Sequence, residues 1–203
     1  MTTESIFRVA FWVLFAGVFV MRMYFALRVR RAGERVMPNR QAIEREGRVM
    51  FAVRVLMFFL LLSWLALYAI YPSWMEPLTV PFPDWLRWVG FSLGLASLGF
   101  WGWTQAALGK EWSPQLQLRE EHHLVTTGPY SRIRHPLYTA MVGYVASLAF
   151  VTANWVFVVL AVVVIAGIFA RVPREEQMMI EEFGEEYKAY MQSTGRFLPK
   201  LSS

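Results

Sequence analysis

The fold is decided by residues 137–170, LYTAMVGYVASLAFVTANWVFVVLAVVVIAGIFA, a stretch that contains no Asp, Glu, Lys or Arg. At about 1.5 Å per residue, a single helix of this length would measure about 51 Å, whereas the hydrocarbon core of a bilayer is about 30 Å thick. Polar residues at 152–154 interrupt the stretch. We therefore predict a tight helical hairpin with two short spans, at residues 137–152 and 155–170.

Three apolar segments precede this hairpin, and each has the length of a spanning helix. Residues 5–27 contain two charges, residues 49–71 contain Arg54 alone, and residues 85–108 contain Arg87 alone, near enough to the helix end to reach the interface. The whole chain is 56% hydrophobic and only 17% charged, which is typical of membrane proteins. We predict an all-α, polytopic membrane protein, one domain over residues 1–203, with five transmembrane helices.

Lys and Arg are concentrated in three segments that this topology places on one side. Segments 28–48, 109–135 and 171–203 contain seven, four and five of them, whereas 72–84 and 152–154 contain none. The positive-inside rule places the basic segments in the cytoplasm, with the N-terminus outside and the C-terminus inside, and we expect a prokaryotic plasma membrane. The net charge of +5 then reflects topology and contact with membrane lipids, so we predict no nucleic-acid partner.

All three histidines lie in the cytoplasmic segment 109–135, which is too long to serve only as a connection. Residues 126–130, TTGPY, are a turn signal, and Pro136 stands at the first position of the next helix, directly after His135. The N-terminus of that helix favours an anionic or electron-rich group. Two interpretations of His135 follow: it lines a pocket, or it only caps the helix.

A second cluster of charge follows the last predicted span. Arg171 and Glu175 are spaced i, i+4 and share a helix face. An ordinary surface ion pair has the same spacing, but an Arg at the end of an uncharged run is costly without a partner or ligand. Apolar residues then recur at every fourth position from Met179 to Met191, which predicts an amphipathic interfacial helix that either roofs a cavity or lies at the headgroups.

Other patterns exclude functions. The chain has no cysteine, and its histidines lack the helical spacing of a zinc site, so we predict no metal centre. The glycine fingerprint and the P-loop of soluble nucleotide-binding folds are absent. Gly90 and Gly94 form a GxxxG pattern, which we interpret as a site of close helix packing and not as a binding site.

Several motif pieces appear in a specific order: His122-His-Leu-Val125, Gly128-Pro-Tyr130, Arg134-His-Pro-Leu-Tyr138, then Arg171, Glu175 and Phe183-Gly-Glu-Glu-Tyr187. This order and spacing resemble the isoprenylcysteine carboxyl methyltransferase family. The resemblance covers roughly residues 109–199, the predicted catalytic region. Phospholipid N-methyltransferases share parts of the same pattern, so the resemblance defines the cofactor better than the acceptor.

The resemblance implies that the chain binds S-adenosylmethionine and transfers its methyl group to a lipophilic acceptor at the cytoplasmic membrane face. The expected reaction is carboxyl O-methylation of an isoprenylcysteine-like or prenylated substrate. The same match implies that Arg171 and Glu175 are catalytic, with Arg171 contacting the acceptor carboxylate. The implied cofactor-binding residues are Gln115, His122, His123, Leu124, Val125, Tyr130, His135, Pro136, Leu137, Tyr138 and Glu175.

Two alternatives to this reaction stay open at this point. One is an enzyme with the same cofactor that methylates a phospholipid amine or a thiol. The other is a membrane binding or scaffold protein that keeps the fold without turnover. An amine acceptor would need a base to keep it neutral, and His135 or Glu175 would be the residue to serve.

Overall fold

The computed structural model describes residues 2–31, 56, 59, 63, 64, 68, 76–108 and 124–200. Within these residues no β-strand is formed, which confirms the all-α prediction. Most of the predicted span 49–71 lies outside the described residues, so the five-span topology stays a prediction. The helices are α1 (Thr3–Arg31), α2 (Asp84–Leu108), a 3-10 helix (Gly128–Ser131), α3 (Pro136–Thr152), α4 (Trp155–Phe183) and α5 (Glu185–Ser193).

Small residues allow α2 to pack closely against α1 and α3. A Cβ at Gly94 would lie 2.7 Å from a methyl carbon of Leu14 and 2.8 Å from the Ser147 hydroxyl oxygen. A Cβ at Gly90 would overlap the side chain of Phe150. Both approaches require the absence of a side chain, so the predicted packing role of the GxxxG pattern is confirmed.

An aromatic cluster ties α1 to the first half of α4. The ring centroids of Phe11 and Tyr68 lie 4.9 Å apart, and those of Phe11 and Phe157 lie 5.4 Å apart. Tyr68 and Phe157 complete the triangle at 5.5 Å. All three contacts are edge-to-face, the arrangement that aromatic quadrupoles favour. Tyr68, from the predicted second span, therefore belongs to the same core as α1 and α4.

The predicted hairpin between α3 and α4 is confirmed. Thr152 ends α3, Ala153 adopts a left-handed conformation with φ of 44°, and the Asn154 side chain accepts a hydrogen bond from the Val156 N–H at 3.0 Å. However, α4 does not end with the apolar run at residue 170, because the charged residues that follow continue the same helix to Phe183. Pro173 lies inside it.

The predicted amphipathic helix is interrupted at Gly184. Met179 and Phe183 belong to α4, whereas Tyr187 and Met191 belong to α5. The two helices meet at Gly184, whose φ is +56°. Glycine adopts this backbone conformation without steric cost, and the fourfold spacing of the apolar residues carries no sign of the break.

Two of the described helices, Thr3–Arg28 and Trp155–Phe183, are long and apolar enough to cross a membrane, and Pro136–Thr152 is a shorter apolar helix. The predicted span 85–108 is confirmed as a helix, and its crossing stays a prediction. Large apolar side chains such as Phe19, Val20 and Val162 are exposed on these helices. Such outer faces are typical of an integral membrane protein.

Arg87, near the start of α2, is held by partners from α1 and α3, and its predicted position at the interface stays a prediction. Its side chain is 4% exposed and forms an ion pair with Glu4. The guanidinium also donates to the Val151 carbonyl at 3.1 and 3.2 Å, and it lies 3.9 Å from the centroid of the Phe7 ring. Arg87 thus joins the beginnings of α1 and α2 to the end of α3.

The opposite end of the bundle therefore carries the ends of α1 and α2 and the start of α3. The basic residues that close α1, Arg28, Arg30 and Arg31, lie at this end. Their grouping with the start of α3 agrees with the sequence analysis. The membrane face to which this end belongs stays a prediction.

Candidate functional site

The backbone that enters α3 is held by residues 194–197, which we call the C-terminal segment. The Arg134 N–H donates to the Gly195 carbonyl at 2.8 Å, and the His135 N–H donates to the Arg196 carbonyl at 3.0 Å. The two stretches run side by side like a short piece of parallel sheet. The start of α3 and the C-terminal segment therefore form one local structure.

The predicted turn before α3 is the 3-10 helix Gly128–Ser131. Its Tyr130 is buried, and the Tyr130 carbonyl accepts a hydrogen bond from the Tyr190 hydroxyl at 2.5 Å. Burial raises the pKa of the Tyr130 phenol, and the nearby Tyr190, Glu175 and Tyr138 raise this pKa further. Tyr130 is therefore a neutral phenol close to Glu175 and Tyr138.

Glu175 connects α3 to α4. The Tyr138 hydroxyl donates to Glu175 Oε2 at 2.6 Å, and Arg171 Nε lies 3.7 Å from the same oxygen. The side chains of Arg171 and Glu175 are 42% and 28% exposed. The two motif regions that the sequence separates by more than thirty residues thus meet in one place. The contact of Arg171 with Glu175 is long, and part of the Arg171 side chain stays exposed.

The neighbouring Glu176 faces different partners and is buried. Its Oε1 accepts hydrogen bonds from Arg134 Nε at 3.0 Å and from Arg196 Nε at 3.2 Å, and its Oε2 accepts one from Arg196 Nη2 at 2.5 Å. Burial alone would raise the pKa of the Glu176 carboxyl, but the hydrogen bonds from Arg196 and Arg134 bring this pKa below its ordinary value. Glu176 is therefore ionised at neutral pH.

His135 stands at the position before α3, but its side chain makes no hydrogen bond to the helix N-terminus. The capping interpretation is therefore wrong. The imidazole stacks on Tyr138 with a centroid distance of 5.7 Å, and it contacts the Phe197 ring at 6.1 Å. Its Nε2 lies 3.4 Å from Glu176 Oε1. Burial lowers the pKa of His135 although Glu175 and Glu176 oppose this shift.

The remaining predicted residues fall into three groups. Leu124, Val125 and Pro136 lie at the same end of the bundle as His135, beside the 3-10 helix or at the start of α3. Leu137 packs against the apolar core between the helices. Gln115, His122 and His123 lie outside the described residues. Among the residues that are described, no cluster of three or more His, Asp or Glu is arranged to hold a metal ion.

Sequence reasoning assigned no role to Glu176 or Arg196. A signal for Glu176 was present, because Ile168, Val172 and Glu176 are spaced four apart and the first two are buried. This spacing places Glu176 on the inner face of α4 once the helix is known to continue past residue 170. For Arg196 no local pattern exists, since its contacts depend on the C-terminal segment returning to α3.

The middle part of the chain is similar to a known protein family. The model of the isoprenylcysteine carboxyl methyltransferase (ICMT) family matches residues 88–181. This part of the chain is similar to the ICMT family. The matched region contains Tyr130, His135, Tyr138, Arg171 and Glu175. The C-terminal segment lies beyond it.

Individual relatives of the ICMT region are similar over about half of the chain. The nickel-cobalt-cadmium resistance protein NccN of Alcaligenes xylosoxydans xylosoxydans is 31% identical over 112 residues, 55% of this chain and 53% of the relative. Protein-S-isoprenylcysteine O-methyltransferase B of Arabidopsis thaliana is 35% identical over 83 residues, 40% and 42% of the two chains. The chain thus spans about half the length of the curated relatives it matches.

A solved structure shares the fold. The structure of the eukaryotic intramembrane Ras methyltransferase ICMT superposes with a TM-score of 0.51 and 24% sequence identity, over 57% of this chain and 42% of that one. At this level of identity the likeness concerns the fold alone. The helices of this chain that superpose therefore share the fold of that structure.

Proposed function

We propose that this chain is a membrane methyltransferase that uses S-adenosylmethionine to methylate the carboxylate of a lipophilic, isoprenylcysteine-like acceptor at the cytoplasmic membrane face. The ICMT family match and the Arabidopsis relative, named as an O-methyltransferase, support the reaction class. The observation that carries the proposal is the 2.6 Å contact between the Tyr138 hydroxyl and Glu175 Oε2. It joins the two motif regions into one site and leaves Arg171 beside it.

The residues of this site fit a cationic methyl donor. Glu175 is a partly buried carboxylate whose contact with Arg171, at 3.7 Å, is loose enough to be exchanged for a ligand cation. Tyr138 donates a hydrogen bond to it, and Tyr130 and His135 lie near enough to interact with it electrostatically. When bound, S-adenosylmethionine supplies an electrophilic methyl group on a positive sulfonium. We assign the donor to these residues together with Leu124, Val125, Pro136 and Leu137, and by resemblance to Gln115, His122 and His123.

Arg171 is proposed to orient the acceptor. A carboxylate acceptor is already ionised at neutral pH, so it needs alignment and desolvation more than it needs a general base. The guanidinium of Arg171 offers two parallel N–H groups for this purpose. The carboxylate of Glu175 offsets part of the positive charge of Arg171. Arg171 therefore positions the acceptor carboxylate without fully neutralising the charge of that carboxylate.

The lipophilic part of the acceptor is proposed to approach from the bilayer. Phe169, at the end of the apolar part of α4, is 55% exposed, and Arg171 follows it by two residues. The apolar surface of α4 thus reaches the level of the charged site. A substrate with a long apolar chain and a polar end matches this arrangement, since each part stays in the environment that suits it.

The reaction is tested with detergent-purified protein and S-adenosylmethionine that carries a radiolabelled methyl group. Three acceptors are compared: a prenylated cysteine, phosphatidylethanolamine and a small thiol. We expect label in the prenylated cysteine, and Arg171→Ala serves as the inactive control. Label found only in the phospholipid or the thiol would assign the chain to amine or thiol methylation. Absence of calorimetric binding of both S-adenosylmethionine and S-adenosylhomocysteine would indicate a binding or scaffold protein.

The membrane orientation is tested separately. Because the chain contains no cysteine, the single substitutions Thr3→Cys and Lys200→Cys each introduce one reactive thiol. In intact cells, a membrane-impermeant maleimide should label Thr3→Cys and spare Lys200→Cys until the membrane is opened. The opposite labelling would place the site on the outer face.

A further inference from the structure

His135 is fixed in three directions by its neighbours. The Tyr138 ring lies nearly parallel to the imidazole, with an angle of 23° between the planes, and Phe197 contacts it at a centroid distance of 6.1 Å. Glu176 Oε1 lies 3.4 Å from Nε2. The ring therefore has little freedom to turn, and the two ring nitrogens have different surroundings.

The position of Glu176 determines which ring nitrogen carries the proton. Burial lowers the pKa of His135, and a neutral imidazole has a single N–H. If this proton were on Nδ1, the lone pair of Nε2 would face an anionic carboxylate oxygen. The proton on Nε2 replaces that repulsion with a hydrogen bond to Glu176 Oε1. The Nε2–H form is therefore the stable one.

The other ring nitrogen then carries a lone pair. No residue in the described part of the chain makes a hydrogen bond to His135 Nδ1. His135 also makes no bond to the N-terminus of α3. In the Nε2–H form, Nδ1 is therefore an acceptor to which a ligand N–H or O–H group could donate.

We propose that Glu176 is a positioning residue that holds His135 in the Nε2–H tautomer, so that Nδ1 accepts a hydrogen bond from an N–H or O–H group of the methyl donor. The identity of this ligand rests on the proposed function. The tautomer itself does not, because it follows from contacts within the protein. The donor offers an ammonium group, ribose hydroxyls and an aromatic amine for such a bond.

Two arginines keep Glu176 in the required place. Arg134 also donates to the Met191 carbonyl at 3.1 Å and to the Thr194 carbonyl at 2.5 Å, so its guanidinium is anchored to the end of α5. Arg196 comes from the C-terminal segment and binds both carboxylate oxygens. Their hydrogen bonds set the direction of the carboxylate relative to His135, which a lone carboxylate would not maintain.

The tautomer is measured by NMR on protein with ¹⁵N-labelled histidine, using the two-bond couplings between ring protons and ring nitrogens. His135→Asn identifies the His135 signals among the three histidines. We expect a protonated Nε2 and an unprotonated Nδ1 in the wild-type protein. A protonated Nδ1 in the wild-type protein overturns the proposal, and this result needs no variant that must fold.

The role of Glu176 is tested by Glu176→Gln with Glu175→Gln as the matched control. The amide of the first variant turns its oxygen to the arginines and its NH₂ to His135, so we expect the proton to move toward Nδ1. The control should leave the tautomer of His135 unchanged. Equal spectra for the two variants would show that Glu176 does not set the tautomer. Should Glu176→Gln fail to fold, Arg196→Lys tests the same contact, and an unchanged spectrum there would also count against it.

The ligand bond is tested by calorimetry with S-adenosylhomocysteine as the probe. Asn places its polar atom near the position of Nδ1, whereas Gln places it near Nε2. We expect His135→Asn to keep the dissociation constant within about threefold and His135→Gln to weaken it about tenfold, as for one lost hydrogen bond. Equal or reversed losses would overturn the ligand assignment. If the wild-type protein does not bind the probe at all, the proposed function fails while the tautomer result stands.

Discussion

Glu175 and Glu176 are consecutive residues of α4 with opposite environments. Glu175 is 28% exposed, accepts a hydrogen bond from the Tyr138 hydroxyl and lies 3.7 Å from Arg171. Glu176 is 5% exposed and is surrounded by two guanidinium groups and an imidazole. Consecutive residues of an α-helix point in directions about 100° apart. Glu175 therefore faces the partly exposed side, where it can change partners, and Glu176 faces the buried side, where it cannot. Glu175 and Glu176 thus differ in their interactions because only Glu176 lies on the buried face of α4.

The physical reason is the cost of burying charge. A carboxylate removed from water is stable only with good partners on both oxygens, and Glu176 has them from Arg134 and Arg196. Glu175 is partly exposed to solvent and therefore needs fewer partners. This difference predicts that Glu176 contributes mainly to the stability of the fold and Glu175 mainly to ligand binding. Four experiments examine this division.

The largest effect is expected for the stability of Glu176→Ala. Its loss leaves Arg134 and Arg196 without their counter-charge, which costs about 3–5 kcal/mol for a buried pair. Glu175→Ala should cost less than about 1 kcal/mol, because its ion pair is partly exposed. The measurement is unfolding of both variants in the same detergent. Equal losses for the two variants would contradict the proposed division.

Arg171→Ala should act on turnover and not on stability. Without its guanidinium the acceptor is no longer aligned, and a misplaced acceptor costs about 100-fold in kcat/KM. The dissociation constant for S-adenosylhomocysteine should stay close to that of the wild-type protein. Arg171→Lys keeps the charge but not the two parallel N–H groups, so it should recover only part of the rate. Unchanged kinetics in the alanine variant would remove Arg171 from the site.

Glu175→Gln should separate two ligands that differ in charge. S-adenosylmethionine carries a sulfonium, whereas S-adenosylhomocysteine has a neutral thioether. Loss of a partly exposed ion pair costs about 1 kcal/mol, or roughly fivefold in affinity. We expect this loss for S-adenosylmethionine and a smaller one for S-adenosylhomocysteine in calorimetry. The same loss for both ligands would mean that Glu175 does not pair with the sulfonium.

The smallest effect is expected in the pH dependence of unfolding. The pKa of His135 is lowered in the folded protein by burial, so the unfolded chain takes up a proton first as pH falls below about 6.5. Stability from this group is therefore complete above that pH and declines below it, by at most about 1.4 kcal/mol per pH unit. His135→Asn should remove this decline. A curve that is identical for both proteins between about pH 5 and pH 6.5 would contradict the shift.

Glu176 contributes at lower pH with the same sign. Hydrogen bonds from Arg196 and Arg134 outweigh burial and lower its folded pKa. Its contribution is therefore complete above about pH 4.3, the pKa of an unfolded Glu, and it is lost as pH falls through the folded pKa. The wild-type protein should show two successive declines on acidification, the first from His135 and the second from Glu176. Glu176→Gln should lack the second.

The sequence predicted much of this arrangement where local pattern and physics agree. The uncharged run of residues 137–170 led to the hairpin because no single helix of that length fits a bilayer. The spacing of Gly90 and Gly94 predicted close packing. The meeting of Tyr138 with Glu175 came from resemblance alone, since no periodicity links residues so far apart.

Other features depend on contacts that no local pattern encodes. The partners of Arg87, which are Glu4, Phe7 and the Val151 carbonyl, come from the start of α1 and the end of α3. The inward direction of Glu176 depends on α4 continuing beyond its apolar part. In each case the partner of the charged side chain comes from a segment that is distant in the sequence.

The hydrogen bonds between the C-terminal segment and the start of α3 also bear on the order of events during synthesis. Residues 194–197 are synthesised after the helices α1 to α5. Until they arrive, Glu176 lacks Arg196, and the N–H groups of Arg134 and His135 lack the Gly195 and Arg196 carbonyls. A nascent chain that has not reached residue 197 is thus unable to complete this local structure, so the proposed ligand binding should require translation past that residue.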